Sequence, residues 1–529
     1  MDVKIVVGTV FTKFRNLSSY ERRLVDKCTS YFQEGSQFTK AFRVGGWNGY
    51  VHLLSYKDML PTGMLNVVIK KFSKKNVKYK IYDRRKYFNI PKLPSSLTFG
   101  SKLLRPYQVK ALNKIFENHV GIINIPTGTG KSLIIGSLAS VINNRKVGII
   151  ASGTSLLLQL KRDIKAITGE KIGYIGEGVW EEKRITIISV DTLSDMLLPP
   201  PKKVKFKNKL KKLKYLNRIA RWKKSCPIAK DFLSKLEVIC LDEAHHGPAR
   251  TFKAVLYSCV NALVRVGFTA TYKRSDGNDV LLHAVTGGVI YKKSTSWMIK
   301  HGYLAKPIIV LLPYDEDIEY ENYVSAYADG IVGNVGRNSF IAESINALYK
   351  YGLSAVLFVR EKVHGKIIED MLINSCGIDS SVVVFATGNE SGSMRRRILK
   401  GFRMGKIRIL LCTRIFNEGI DFPEGNAGIK ADGFKFEGTQ IQQMGRLLRK
   451  VPVSSGEIDR DRDEEVFFVD ILDMHDIYLA KHSLKRMTAY EKEEGFVVKI
   501  AKNSIEFENI IGKHIDKVIL VDEKVSCNS

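Results

Sequence analysis

The sequence predicts an α/β protein: two tandem units, each a parallel sheet flanked by helices, behind a small α/β N-terminal domain. Three observations predict it. Short apolar runs without polar alternation recur in two series, as expected of parallel strands buried on both faces. Helix-like periods separate those runs, which is the pattern of alternating strand and helix. At 121–138, GIINIPTGTGKSLIIGSL joins two apolar runs through a turn rich in Gly and Thr.

Residues 1–95 make the first domain, an accessory module containing FRVGGWNGYVHLLSYKDMLPTGML at 42–65. The breaker-rich connector PKLPSSLTFGSK at 91–102 sets it apart. The first strand series, GIINI, KVGIIAS, ITIISV, LEVICLDE and LVRVGFTAT, defines a unit at 103–303. The second, PIIVLLP, SAVLFVR, SVVVFAT, IRILLCT and EVFFVDI, defines a unit at 304–485. Residues 486–529 form a C-terminal extension without an assignable period. No repeat of 20–50 residues is present.

Composition narrows the class. A chain of 529 residues is too long for one ordinary core. Its 44% hydrophobic and 10% aromatic content suits packed globular domains. No apolar stretch reaches the roughly 18–20 residues that span a bilayer. The opening MDVKIVVGTVFTKF lacks the charged-then-apolar layout of a signal. Seven scattered cysteines, with no CxxC pair, argue against disulfides or a zinc site and for a cytoplasmic location. Lys and Arg number 84 against 54 Asp and Glu, a net charge of +30 that favours a polyanionic partner, and without an apolar span no membrane partner is expected.

In IPTGTGKS, Gly128 and Gly130 allow a tight turn whose N–H groups face a phosphate chain. Lys131 would reach the β- and γ-phosphates, Ser132 would ligate Mg2+, and the following helix adds its positive end. Ile125 stands where the usual pattern begins with Gly, so the loop alone could be a structural turn. VICLDEAHH ends a strongly apolar run. It places Asp242 to hold Mg2+ and Glu243 to activate water, the usual complement to a phosphate loop. His245 either packs on its own helix or relays between domains.

PTGTGKS, DEAH, GFTAT at 267–271, TRIFNEGID at 413–421 and QQMGRLLR at 442–449 form an ordered set. This set resembles the two-RecA-domain motor of superfamily 2 helicases and translocases, over roughly residues 103–475. The resemblance implies ATP and Mg2+ as cofactors, with Pro126, Thr127, Gly128, Thr129, Gly130, Lys131 and Ser132 around the phosphates. It implies that Arg105 and Gln108 of RPYQ contact adenine, although Gln108 could be an ordinary helix residue. Thr269 and Thr271 match the motif linking ATP state to the cleft, and Gly419 and Asp421 match the second domain's nucleotide contact. Gln442, Arg446 and Arg449 match the motif whose arginines reach the γ-phosphate; otherwise they line a solvated helix face. Thr154, Gln159, Thr192, Thr387, Gly388 and Thr413 match positions that hold a nucleic-acid backbone.

Residues 42–65 are similar to the N-terminal domain of phage branched-DNA helicases of the UvsW type. Arg43, Trp47, Tyr50 and His52 suit a surface that stacks bases or grips backbone, with Trp47 as a core aromatic the alternative. Arg274, Asp276 and Gly277 echo a turn common in double-strand DNA translocases. PKKVKFKNKLKKLKYLNRIARWKK at 201–224 holds twelve Lys or Arg and no acid. Its Leu210, Leu213, Leu216 and Ile219 suggest a basic amphipathic helix, which either binds DNA through residues such as Lys211 and Lys212 or covers its own domain.

The expected function is therefore ATP-dependent helicase or translocase action on branched DNA, such as forks and four-way junctions, by a monomer in a host cytoplasm. Other replication or recombination proteins are possible partners. The alternatives are an RNA helicase, or an ATP-switched subunit of a restriction-type complex.

Overall fold

Main-chain hydrogen bonding in the computed structural model is described for residues 2–88, 93, 97–100, 102–200, 209–244, 250–270, 279–413, 426–434, 465–493 and 495–514. These residues fall into two compact units: Met1–Ile125 with Gly130–Lys292, and Lys293–Ser529 with Pro126–Thr129.

The first unit is built on an eight-stranded sheet in the order Val179–Glu181, Gly173–Gly176, Ile185–Ser189, Val147–Ala151, Val238–Leu241, Val264–Thr269, Val120–Asn124, Val289–Lys292. All pairings are parallel except the edge hairpin of Gly173–Gly176 with Val179–Glu181. Every residue of Val147–Ala151, Ile185–Ser189, Val238–Leu241 and Val264–Thr269 is buried, which is why these runs carry no polar alternation. Arg265 is the exception in charge. Its guanidinium donates to the Leu256 and Ala262 carbonyls at 3.1 and 3.2 Å, and also to Cys259, closing the end of helix Arg250–Ser258.

The N-terminal module adds a four-stranded sheet, Met59–Pro61, Phe11–Arg15, Val3–Val7, Tyr79–Asp83. It is fused to the first large sheet, not hung from it. Its core, with Val3, Ile5, Phe14, Val68 and Phe72, also includes Ala284 of helix Asp279–Thr286. A Cβ on Gly63 would stand 2.1 Å from the His283 carbonyl, so only glycine permits this approach. Phe11 meets Tyr257 with ring centroids 5.1 Å apart.

The second unit is a wholly parallel seven-stranded sheet: Val383–Ala386, Ile409–Cys412, Ala355–Phe358, Ala427–Lys430, Glu465–Asp473, Lys306–Tyr314, Val497–Ile500. Ile341, Ile345 and Leu348 of helix Val335–Lys350 share its core with Leu357, Leu411 and Val469. The stretch after residue 485, for which the sequence offered no assignment, supplies the edge strand Val497–Ile500 and a helix at 504–514. No helix among the described residues is long and apolar enough to cross a membrane.

One buried histidine gives the second unit a pH dependence. His364 is fully buried, and its Nε2 meets Asn338 Oδ1 at 2.9 Å. Burial first, and then the Arg337 charge, lower its pKa to about 3. The unfolded chain takes that proton below about pH 6.5 and the folded one refuses it, so stability is full above pH 6.5 and drains away toward pH 3. At pH 5 the loss from this one group is about 2 kcal/mol. Thermal melts at pH 7 and pH 5 should show it as a fall in midpoint that His364→Gln partly removes. An unchanged pH dependence in the variant would refute the assignment.

Candidate active site

Strand Val120–Asn124 delivers the chain to the glycine-rich loop beside strand Val264–Thr269. The Ile125 N–H donates to the Thr269 carbonyl at 3.1 Å, and Pro126, which has no N–H, ends the ladder. Gly128 and Gly130 then take φ of +81° and +80°, the left-handed region that favours glycine. The Thr129 hydroxyl donates to the Pro126 carbonyl at 2.6 Å and closes the turn. Helix Lys131–Val141 starts at Gly130 with no side-chain cap on its first turn. Its leading N–H groups and positive dipole end therefore point to an anion.

Gln108 is brought to this loop. It is buried, its Oε1 accepts from the Arg105 N–H at 2.9 Å, and a Cβ on Gly130 would lie 2.6 Å from its Nε2. The oxygen thus caps helix Pro106–Asn118, and the amide nitrogen is the end turned to the loop. Arg105 Nη1 donates to the Tyr107 hydroxyl at 3.3 Å.

Asp242 and Glu243 follow strand Val238–Leu241, whose four residues are all buried. The Asp242 N–H donates to the Ile150 carbonyl at 3.0 Å, which fixes this carboxylate at the sheet's C-terminal edge with 7% of its surface exposed. Glu243 adopts φ +48°, in the left-handed region that is uncommon for a non-glycine residue. Its Oε1 lies 3.4 Å from Lys131 Nζ. One loop and one strand end thus supply a cation and a facing carboxylate.

These residues fit a magnesium nucleotide. The uncapped helix start and the left-handed Gly130 suit a phosphate, Lys131 is a nearly buried point charge, and Ser132 and Asp242 are hard oxygen donors of the kind Mg2+ prefers. Lys131 would hold phosphate oxygens; Ser132 and Asp242 would hold the metal, which when bound supplies charge neutralisation at the transferring phosphoryl group. With a phosphate bound, Lys131 would exchange Glu243 for it, and the Glu243 carboxylate would then be placed to orient a water.

Residues 101–274 match the family described as "Type III restriction enzyme, res subunit", and residues 340–451 match "Helicase conserved C-terminal domain". The chain is a superfamily 2 helicase. It is an ATP-hydrolysing enzyme, and the two sheets above are its RecA-like domains. Residues 22–83 match a third family, "DNA helicase UvsW, N-terminal". The helicase is 24% identical over 501 residues to the "ATP-dependent DNA helicase uvsW" of Enterobacteria phage T4, covering 88% of this chain and 92% of that one. It is 23% identical over 440 residues to the "DNA 3'-5' translocase XPB2" of Sulfurisphaera tokodaii, covering 74% and 89%. Among solved structures, a variant of S. cerevisiae Dbp5 bound to RNA and ADP BeF3 is similar in fold at a TM-score of 0.50. It shows 17% identity and covers 78% of this chain and 93% of that one.

Other positions of the helicase are less open than the sequence implied. Thr154 begins helix Thr154–Thr168 and donates to Glu177 Oε1 at 2.5 Å; Gln159 lies in the second turn of that helix, half-buried. Thr192, also half-buried, donates its N–H to Ser189 Oγ at 3.4 Å. Thr387 donates to Glu390 at 3.0 Å, Arg395 holds the Gly388 carbonyl at 3.0 Å, and Thr413 is buried. Arg43 is exposed. Trp47 is half-buried, and its indole N–H goes to the Tyr50 carbonyl at 2.8 Å, while His52 pairs with Asp26 at 2.8 Å.

The basic helix exists as Lys209–Ser234, but its leucine stripe is not buried. Leu210, Leu213 and Leu216 are 59, 55 and 49% exposed, and Lys212 is exposed with them. The helix is anchored further along, where Cys226, Ala229, Phe232 and Leu233 enter the core. The expected apolar face therefore packs only from Trp222 onward. Lys211 has a helical backbone, and its side chain lies outside the described residues. So do His245, Thr271, Arg274, Gly419, Asp421, Gln442, Arg446 and Arg449.

Asn124 was missed by sequence reasoning. The available signal was a polar residue ending an apolar strand just before Pro126.

Proposed function

We propose that this helicase couples ATP hydrolysis to remodelling of branched DNA: fork reversal, four-way-junction branch migration and strand unwinding in replication, recombination and repair. The observation that carries it lies outside the motor. The N-terminal module matches the UvsW N-terminal family at residues 22–83, and the alignment with the phage T4 DNA helicase runs over nearly both whole chains. A surplus of +30 charges supports a phosphate track.

The energetics are compatible. Moving a junction exchanges one base pair for another, so net pairing energy is near zero, whereas strand separation loses roughly 1.4 kcal/mol of stacking per step. We read residues 1–95 as the accessory DNA-binding module and 103–303 and 304–485 as the motor halves. In this scheme Gln442, Arg446 and Arg449 act on the γ-phosphate, Gly419 and Asp421 on the nucleotide, and Mg2+ binds at Ser132 and Asp242. Arg43, Trp47, Thr154, Gln159, Thr192, Lys211, Lys212, Arg274, Thr387, Gly388 and Thr413 line the DNA track. His245, Thr269 and Thr271 couple the sites, in a monomer working in a phage host's cytoplasm.

The test is ATP hydrolysis with single-stranded, duplex, forked and four-way DNA and with RNA of equal length. Forked or four-way DNA should stimulate most. Strongest stimulation by RNA would replace DNA as the track, and no stimulation at all would make the chain a partner-dependent subunit.

A further inference from the structure

We infer that Asn124 is the positioning residue that binds the phosphate loop to the strand end carrying Thr269 and Ala270, passing the state of the nucleotide site to the chain beyond. Asn124 is 5% exposed. Its Nδ2 donates to the Thr269 carbonyl at 3.2 Å and to the Ala270 carbonyl at 3.0 Å. A primary amide has two N–H donors, and both are spent on consecutive carbonyls of one neighbouring strand.

The main chain cannot do this work. Asn124 and Thr269 are register partners, and the Ile125 N–H takes the Thr269 carbonyl as the last rung. Pro126 has no N–H with which to continue toward Ala270. Asn124 therefore extends the ladder by one bond through its side chain, at the point where the backbone must leave the sheet to form the glycine turn. An aliphatic residue of similar size would take this donor from the Ala270 carbonyl and leave the Thr269 carbonyl to the Ile125 N–H. Any displacement of residues 125–130 is transmitted through this amide to Ala270, the residue just before Thr271. The inference rests on the proposed coupling role of Thr269 and Thr271.

The full-length protein tests it with Asn124→Asp and Asn124→Ala, at pH 8 and pH 6. Aspartate keeps the shape, but its carboxylate faces two carbonyl oxygens; burial and that repulsion raise its pKa, and once protonated it can donate again. At pH 8, Asn124→Asp should cut the stimulation of kcat by forked DNA about tenfold, within the 5–150-fold span of coupling energies, with the KM for ATP held within about twofold. At pH 6 the stimulation should return in Asn124→Asp and not in Asn124→Ala. Unchanged stimulation overturns the inference, and so does an equal loss of basal and stimulated rates at both pH values, the mark of a merely structural residue.

Hydrogen exchange with AMP-PNP separates this result from the proposed function. Bound AMP-PNP should protect both 121–133 and 264–270 in the native protein, and only 121–133 in Asn124→Ala. If no nucleic acid stimulates the native protein, the proposed track fails, while the exchange comparison still decides Asn124. Protection of both segments in the variant would overturn the staple.

Discussion

Lys131→Ala is expected to lower kcat for ATP hydrolysis by at least about 10²–10³-fold, the scale on which a single pre-placed donor matters to a charged transition state. Lys131 faces Glu243 at 3.4 Å, and the pair is mutually neutralising. Removing the ammonium therefore does two things: it deletes the proposed partner of the phosphate and takes the Lys131 contact away from Glu243 Oε1. Glu243→Gln should lose hydrolysis on a similar scale for a different reason. It keeps Lys131 available and removes the carboxylate proposed to orient water. The two variants are thus separated by nucleotide binding, measured by fluorescence anisotropy of a labelled ATP analogue. Lys131→Ala should bind more weakly and Glu243→Gln at least as tightly as the native protein. Among the described residues Lys131 is in none of the apolar core clusters, so its melting curve should stay close to native. Hydrolysis at a normal rate in Lys131→Ala would remove this loop from the chemistry.

Much of the geometry of this candidate site was legible because the proposed chemistry needs particular residues next to each other in sequence. A phosphate loop is a local turn, and Gly128, Gly130, Lys131 and Ser132 specify it within five residues. Asp242 and Glu243 were legible because a carboxylate pair at the end of an apolar run has few structural uses. All ten apolar runs chosen as strands are strands, for the matching reason that parallel strands buried on both faces cannot alternate. The strand Ala427–Lys430 was not legible. AGIK has little β-branched content and ends in lysine, yet it is central in the sheet, and Lys430 is buried because it pairs with Asp432. Burial opposes that carboxylate's charge, but Lys430 more than offsets it and holds the Asp432 pKa below the usual value. Asn124 escaped because its role depends on a carbonyl pair 145 and 146 residues away. The leucine stripe of the basic helix misled for the opposite reason. Spacing at i, i+3, i+6 is a helical signal, but spacing says nothing of which side meets the core. Trp222, Cys226, Ala229 and Phe232 settled that, and they point away from Leu213 and Leu216.

In the second unit the largest loss of stability is expected from Arg486→Met, at about 3–5 kcal/mol. Arg486 and Asp470 are both fully buried, with Nε at 3.1 and 3.0 Å from the two carboxylate oxygens. The other four N–H donors are also placed, on the Gly433, Phe434 and Ile471 carbonyls and Ser483 Oγ at 2.7–3.2 Å. Burial works against the charge, yet Asp470 and then Asp473 raise the guanidinium pKa above its ordinary range, so the group stays ionised. Methionine would take both Nε contacts from Asp470, leaving it the Tyr490 hydroxyl at 2.7 Å, and would remove a donor from the Gly433, Phe434 and Ile471 carbonyls. Asp470→Asn should cost less, because Arg486 keeps all its carbonyls and Asp473 stands 3.9 Å away as a second anion. Arg486→Lys should resemble methionine more than arginine, since three rotatable donors cannot replace five in a fixed fork. For a unit of this size each kcal/mol shifts Tm by roughly 2–4 °C, so Arg486→Met should melt on the order of 10 °C lower by calorimetry. Gly433 and Phe434 lead into the stretch that carries Gln442, Arg446 and Arg449. ATP hydrolysis in Arg486→Lys, assayed well below its melt, should therefore fall as well. Equal losses below about 1 kcal/mol in all three variants would mean that the pair contributes no more than an exposed one does.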